Sequence, residues 1–481
     1  MRNLTRRLTA ALAPALLVAG AVAVPAAAAT PAANCPSPIV TGDTMFCGSL
    51  ADGATYLIEV PPHWNKNLFL YSHGYVVPGS ANPATDVGDP VTGGWLLTHG
   101  FALAGSSYAI TGWALADALP DQRATLGVFD HMVGKPRHTI AWGHSLGGII
   151  TAGLIQRYPR VFSAALPMCG VLAGGVATWN TALTAAFAFQ QLVDPSVAVV
   201  NIANPVGNLT AAETALAAAQ ATPAGKARIA LAAALGDTPG WFTPLTPEPA
   251  RDDFADQEAN QFKWDSQVDF PFIFAFRAQL EQLAGGNPSW TAGVNYAQQL
   301  AKSVDTREVK ALYKAAGLNL KTDLRTLRRA AQVKANPASV RYLAKNISFT
   351  GRINIPVLSM HTVGDGLVVN ENEQAYSSVV HRAGRAFLLR QVFVNRAGHC
   401  AFTPAETVAA VKSLLHRMRT GRWNDHALRP ASMNATATSL GTNFNIFASG
   451  NQVVPVAAAF TTFRPAPYLR PFDLLRFRFR R

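Results

Sequence analysis

Three residues in this chain have the types and the order needed to move a proton to and from a serine hydroxyl: Ser145 in Gly143-His144-Ser145-Leu146-Gly147, Asp365 in Gly364-Asp365-Gly366, and His399 in Ala397-Gly398-His399. A serine hydroxyl is a weak nucleophile at neutral pH, so a base must reach its proton and donors must await the oxyanion that follows. His399 would be that base, taking the proton from Ser145 and returning it to the leaving group, while Asp365 would hold the imidazole and stabilise its cation. Gly-x-Ser-x-Gly alone occurs by chance in many chains. Here it stands between a β-branched and aromatic run, His138 to Trp142, and a helical run ending near Tyr158. That strand-turn-helix context forces the serine into a strained, exposed elbow. Competing residues fit less well. Asp252, Asp253 and Asp265 fall in a helical insertion, His361 in a strand, His381 at a helix end, and His99-Gly100 in a turn, whereas His144 is expected to pack behind the elbow.

The elements that must position these residues come in two blocks. From Tyr56 to Gly170 short apolar runs alternate with helical stretches, the signature of a mostly parallel sheet covered by helices. Tyr56–Val60, Asn67–Ser72, Phe101–Ala104, His138–Trp142 and Ser163–Pro167 read as strands, and Asp121–Val133 as a helix. The rhythm stops at Val171, and the chain to Ile353 becomes rich in Ala, Leu, Gln and charge, with capping signals at Thr210-Ala211-Ala212-Glu213 and Thr222-Pro223. It resumes with strands at Ile355–His361 and Arg385–Val394 and a helix from Pro404 to Met418. After Trp423 the chain is β-prone, and Arg476-Phe477-Arg478 alternates like a half-buried edge strand.

In its elbow, its serine-acid-histidine order and the strand-end placement of the last two, the chain resembles the α/β-hydrolase superfamily over Thr55–Gly170 and Ile355–Arg417. The resemblance implies an α/β fold: a mostly parallel sheet flanked by helices, with a large helical cap insertion and a short β-prone C-terminal tail. It divides the chain into a signal peptide (1–29), a first core part (30–170), the cap (171–353), a second core part (354–420) and a C-terminal extension (421–481). It also implies an oxyanion hole built from the Leu146 amide and, in His73-Gly74-Tyr75, the Tyr75 amide. A cap of this size over the pocket points to a small or oligomeric ester with an apolar or aromatic portion. Phe262, Trp264, Phe270, Phe272, Phe274 and Phe276 could line that pocket or equally form the cap's own core, and Trp113 is a further lining candidate. The expectation is a secreted carboxylic-ester hydrolase working through an acyl-enzyme on Ser145, with neither metal nor organic cofactor. A serine peptidase of exopeptidase type on the same fold and a non-catalytic cell-surface binding protein are the alternatives.

Residues 1–29 combine a basic start, an apolar run from Leu8 to Val24 and Ala26-Ala27-Ala28-Ala29 after Pro25, which matches a secretory signal. Thr5-Arg6-Arg7 leaves the choice between the Sec and twin-arginine routes open. In an oxidising compartment Cys35, Cys47, Cys169 and Cys400 allow three pairings; proximity favours Cys35 with Cys47, which leaves Cys169 with Cys400. No Cys-x-x-Cys or Cys/His cluster suggests zinc. Cys400 beside His399 is similar to secreted tannase and feruloyl-esterase-like hydrolases, in which a disulfide ties the serine and histidine loops. Here His144, not a cysteine, precedes Ser145, so Cys169 is the available partner.

A content of 49% hydrophobic and 14% charged residues excludes disorder as the main state. The formal charge of +13 is concentrated at the ends, in Arg2, Arg6 and Arg7 and in Arg464, Arg470, Arg476, Arg478, Arg480 and Arg481 against Asp473. No zinc-finger spacing or aromatic RNA-binding signature accompanies it, which argues against nucleic acid as a partner. The basic tail could instead touch an anionic cell surface weakly. Oligomeric state is not legible from the sequence.

Overall fold

The computed structural model describes residues 35–449 and 452–472. The leader and Arg476-Phe477-Arg478 lie outside the described residues.

Asn67–Ser72 is apolar at nearly every position, as a strand covered on both faces must be. It becomes β3, and alternate side chains go to opposite cores: Leu68 and Leu70 to one, Phe69 and Tyr71 to the other. Around it run β1 (Thr44–Ser49), β2 (Thr55–Val60), β4 (Ala102–Ser106), β5 (His138–His144), β6 (Ala164–Met168), β7 (Val357–Gly364), β8 (Leu389–Ala397) and, after a small hairpin of β9 (Ile446–Ser449) and β10 (Gln452–Pro455), β11 (Phe460–Thr461). The main sheet has the order β1-β2-β4-β3-β5-β6-β7-β8-β11. The pairs from β4 through β8 are parallel, and β1, β2 and β11 pair antiparallel at the margins. Helices Leu115–Met132, Leu146–Arg157 and Glu371–Arg382 cover one face, and Pro90–Thr98 and Pro404–Thr420 the other.

Two local expectations are corrected. The helix read from Asp121 begins at Leu115 and runs through Pro120, because Leu115, Ala118 and Leu119 bury their side chains against the sheet and outweigh the missing proline N–H. The capping box read at Thr210 is not formed. That helix starts at Pro205 under Asn204, whose side chain accepts from the Gly207 amide, and the Thr210 hydroxyl donates back to the Val206 carbonyl at 3.1 Å. Thr222-Pro223 does open a helix, with the threonine side chain accepting from Gly225.

Between β6 and β7 there are helices and no strand among the described residues. They enclose a core of their own, in which Phe187, Phe189, Leu231, Phe270 and Phe274 pack together. Gln279 of this layer grips the loop after β4, donating to the Thr111 carbonyl at 2.7 Å and accepting from the Trp113 amide at 3.1 Å. Arg470 supplies a second tie. Counted by sequence with a basic tail, it is instead 2% exposed and donates to Asn180 Oδ1 (3.0 Å), the Trp290 carbonyl (2.8 Å) and Thr184 Oγ1 (3.3 Å). Burial pushes its pKa down to about 10, which leaves it charged at neutral pH. Among the described residues no helix is long and apolar enough to cross a membrane.

Candidate active site

The register of β5 against β6 carries the chain into the elbow, where the Ser145 amide still donates to the Met168 carbonyl at 3.0 Å. Ser145 then takes φ 58° and ψ −122°, a left-handed conformation that a residue with a Cβ adopts only under constraint. The constraint is crowding: a Cβ on Gly147 would run into the Ser72 carbonyl oxygen, and one on Gly148 would come within 2.6 Å of the Gly170 Cα. His144 packs behind the elbow as expected, its Nδ1 3.1 Å from the Tyr71 hydroxyl.

Asp365 follows β7 and is fully buried. His399 Nδ1 donates to both of its oxygens, at 3.0 and 2.8 Å, and the Val368 amide donates to Oδ1 at 3.0 Å. Burial alone would raise this carboxyl's pKa; His399 and His361 outweigh it and hold it at about 2. Sequence reading set His361 aside as a competitor of His399. It proves to be the second ring on the same carboxylate, with Nε2 3.6 Å from Asp365 Oδ2 and 2.7 Å from the Val368 carbonyl, and Nδ1 3.2 Å from Glu373 Oε1. Both nitrogens face acceptors only, which requires both to carry protons. Burial pushes the His361 pKa down, yet Asp365 and Glu373 lift it to about 10. No spacing rule signals this pairing, because i, i+4 neighbours meet on helices whereas His361 lies in β7, and Glu373 comes from another element.

His361→Gln removes a buried cation from between two carboxylates, and we expect a loss of about 3–5 kcal/mol in unfolding free energy. The Asp365 pKa should then rise, so its contribution to stability is lost at a higher pH on acidification than in the parent. Denaturant titration at neutral and at acidic pH reads the two effects.

The loop that carries His399 is fastened on both sides. Arg396, at the end of β8, donates to Glu406 at 2.7 and 3.0 Å, while Glu406 closes a capping box with Thr403 on the following helix. Cys400 forms a disulfide with Cys169, and Cys35 forms one with Cys47, the pairing favoured by proximity. Cys169 and Cys400 both have positive φ, 43° and 54°. His399 Nε2 lies 3.4 Å from Cys400 Sγ, and among the described residues no hydrogen bond joins it to Ser145 Oγ. In empty sites that bond is often open and tightens around substrate. Replacing both Cys169 and Cys400 with alanine should cost about 2–5 kcal/mol and lower the melting temperature. Unfolding of the variant beside the parent, each with and without reductant, checks this.

A strained serine on a strand-turn-helix elbow, followed in chain order by an acid and a histidine already joined, decides the architecture. The architecture is an α/β fold with a mostly parallel sheet and a nucleophile elbow, as in α/β-hydrolases. No family model matches it. It is 28% identical over 437 residues to the o-phthalyl amidase of Xanthobacter agilis, spanning 83% of this chain and 92% of that protein. Among solved structures it is similar to feruloyl esterase B from Aspergillus oryzae (13% identity, TM-score 0.42, 84% of this chain and 86% of that one). It is also similar to the rice cell wall degrading esterase LipA from Xanthomonas oryzae (13%, TM-score 0.36, 78% and 90%).

At the elbow the Tyr75 and Leu146 amides find no protein partner among the described residues, and both residues line a cavity of about 110 Å³ with Ser145. The loop bearing Tyr75 is held by His73, which stacks on Tyr108 at 4.0 Å with its Nε2 3.0 Å from the Ser107 carbonyl. Trp113 lines the cavity as expected, but of the six cap aromatics singled out by sequence only Phe272 does. Phe270 and Phe274 are cap core, Phe276 stacks on Tyr75 at 5.9 Å, and Trp264 stands behind Gly366. The walls that sequence reading missed include Trp179, Asp269 and Tyr468.

Proposed function

We propose that the protein cleaves carboxylic esters through an acyl-enzyme on Ser145, with His399 as general base and Asp365 orienting it. The observation that carries this reading is the placement of Ser145, strained on its elbow, in one cavity with two unpartnered amides, Tyr75 and Leu146. Substrate binding draws His399 Nε2 onto Ser145 Oγ. The hydroxyl oxygen attacks the acyl carbon as its proton passes to Nε2, and the Tyr75 and Leu146 amides receive the resulting oxyanion. The proton then leaves with the alcohol. Water, deprotonated by the same imidazole, releases the acid and frees Ser145. Asp365, ionised throughout, keeps the Nδ1 proton in place.

The cavity favours an aromatic or compact apolar acyl or alcohol part. Its walls include Trp113, Trp179 and Phe272, and its volume of about 110 Å³ is below the roughly 150 Å³ of a hole that binds benzene, so the group it takes is compact. The two disulfides suit an oxidising, extracellular setting. The similarity to an o-phthalyl amidase supports a second reading, in which the same acyl-enzyme forms from an amide.

A matched set of p-nitrophenyl benzoate, p-nitrophenyl alkanoates of graded length and aryl-acyl anilides separates these readings. We expect turnover of the aryl ester, with stoichiometric labelling of Ser145 by a fluorophosphonate. Anilides cleaved faster than esters would establish the amide reading, and neither turnover nor labelling would overturn both.

A further inference from the structure

Asp269 is a carboxyl without a visible task. It is 7% exposed, lines the same cavity as Ser145, and among the described residues receives no hydrogen bond or ion pair. Its backbone explains its direction. The helix Phe254–Trp264 widens into a π-type turn over Asp265–Asp269, closed by the Phe270 amide on the Asp265 carbonyl, and a second wide turn follows at Pro271–Phe276. Such turns shift side chains off the ordinary helical face and recur at functional sites. Here they bring Asp269, Phe272 and Ile273 to the cavity, while Phe270 and Phe274 stay in the cap core.

An unpartnered carboxyl in a largely apolar wall is costly unless something arrives to meet it. None of the cavity's walls is a Lys, Arg or His. The carboxyls that face it are Asp265 on the same turn, itself pushed up to about 8 by burial, and Asp365 on the core. Burial, and after it these two carboxyls, push the Asp269 pKa well up. An ammonium group entering the cavity would oppose that shift by pairing with the carboxylate, beside the aromatic walls Trp113 and Trp179.

Resting on the reading of this site as a hydrolase pocket, we propose that Asp269 selects substrates carrying a protonated amine on an aromatic or compact apolar group.

The test compares p-nitrophenyl esters of 4-(aminomethyl)benzoic acid, neutral 4-ethylbenzoic acid and terephthalic acid on the full chain and on Asp269→Asn, a change that keeps the side chain's size. We expect the parent to favour the ammonium ester over the ethyl ester by about tenfold or more in kcat/KM, with the carboxylate ester slowest, and the variant to lose that ammonium preference. An unchanged ammonium-to-ethyl ratio, or a parent that prefers the carboxylate ester, overturns the proposal. A binding measurement stands apart from turnover. Calorimetric titration of benzylammonium into Ser145→Ala and into Ser145→Ala/Asp269→Asn should show about tenfold weaker binding to the double variant, with benzyl alcohol as neutral control. Equal affinities would sink the selection by Asp269 even if every ester were cleaved. Failure of all ester turnover with the binding difference intact would instead sink the hydrolase reading alone.

Discussion

Ser145→Ala is expected to lower kcat on the best ester by about five to six orders of magnitude, leaving only what the oxyanion donors and substrate binding supply. The size of the effect follows from the absence of any substitute. No other hydroxyl occupies the elbow, and the remaining hydroxyls on the cavity wall, those of Tyr75, Thr178, Thr181, Thr238 and Tyr468, all lie away from the end of β5. The variant should fold as the parent does, because alanine inherits the same φ of 58° and the surrounding glycines still provide the space. Covalent labelling by a fluorophosphonate should vanish, while circular dichroism and melting temperature stay close to those of the parent. A variant retaining even a hundredth of the activity would place the nucleophile elsewhere.

Asp365→Asn is expected to cost about 10⁴-fold in kcat, and for a different reason. An amide in place of the carboxylate can turn its NH₂ toward Nδ1, which moves the ring proton to Nε2 and leaves nothing to accept from Ser145. The same change strips His361 of one of its two anionic partners. Its stability cost therefore depends on pH at both ends. Asp365 is held at about 2 by the two imidazoles, so its contribution is present above the ordinary carboxyl range near pH 4 and is lost as pH falls through 2. His361 is raised to about 10, so its contribution is complete below the ordinary histidine value near 6.5 and is lost as pH rises through 10. The gap in unfolding free energy between parent and variant should thus be widest between about pH 4 and 6.5. A gap that keeps widening above pH 8 would contradict this account.

The parts of the molecule that could be read from the sequence are those whose signals are local. Asn67–Ser72 announces a buried strand by composition, and the Ser145 elbow by five consecutive residues between a strand and a helix. Asp365 and His399 come next, because the alternation of strand and helix resumes around them. The pocket walls were harder to read because no short stretch encodes them. Trp179 lies on the first cap helix, Asp269 on a wide turn with no sequence signature of its own, and Tyr468 on a segment that looked like tail. Six aromatics from Phe262 to Phe276 look alike in sequence, yet the widening of the helix sends Phe272 to the cavity and keeps Phe274 in the core. Helical periodicity alone could not sort them, because that turn changes the period. The role of His361 was hidden for a related reason: its partners Asp365 and Glu373 meet only when β7 and the helix Glu371–Arg382 are packed together.

Tyr468 donates no chemistry, yet it closes one side of the cavity and accepts a hydrogen bond from Thr181 at 3.1 Å, while Arg470 two residues on anchors to Asn180 and Trp290. Every other wall residue precedes Tyr468 in the chain, so a ribosome must pass position 470 before the chamber can be sealed. A nascent polypeptide that already holds its sheet and its serine by then still has nowhere to seat a ligand. Trimming the chain before Tyr468 would accordingly yield a protein that folds around an unfinished room.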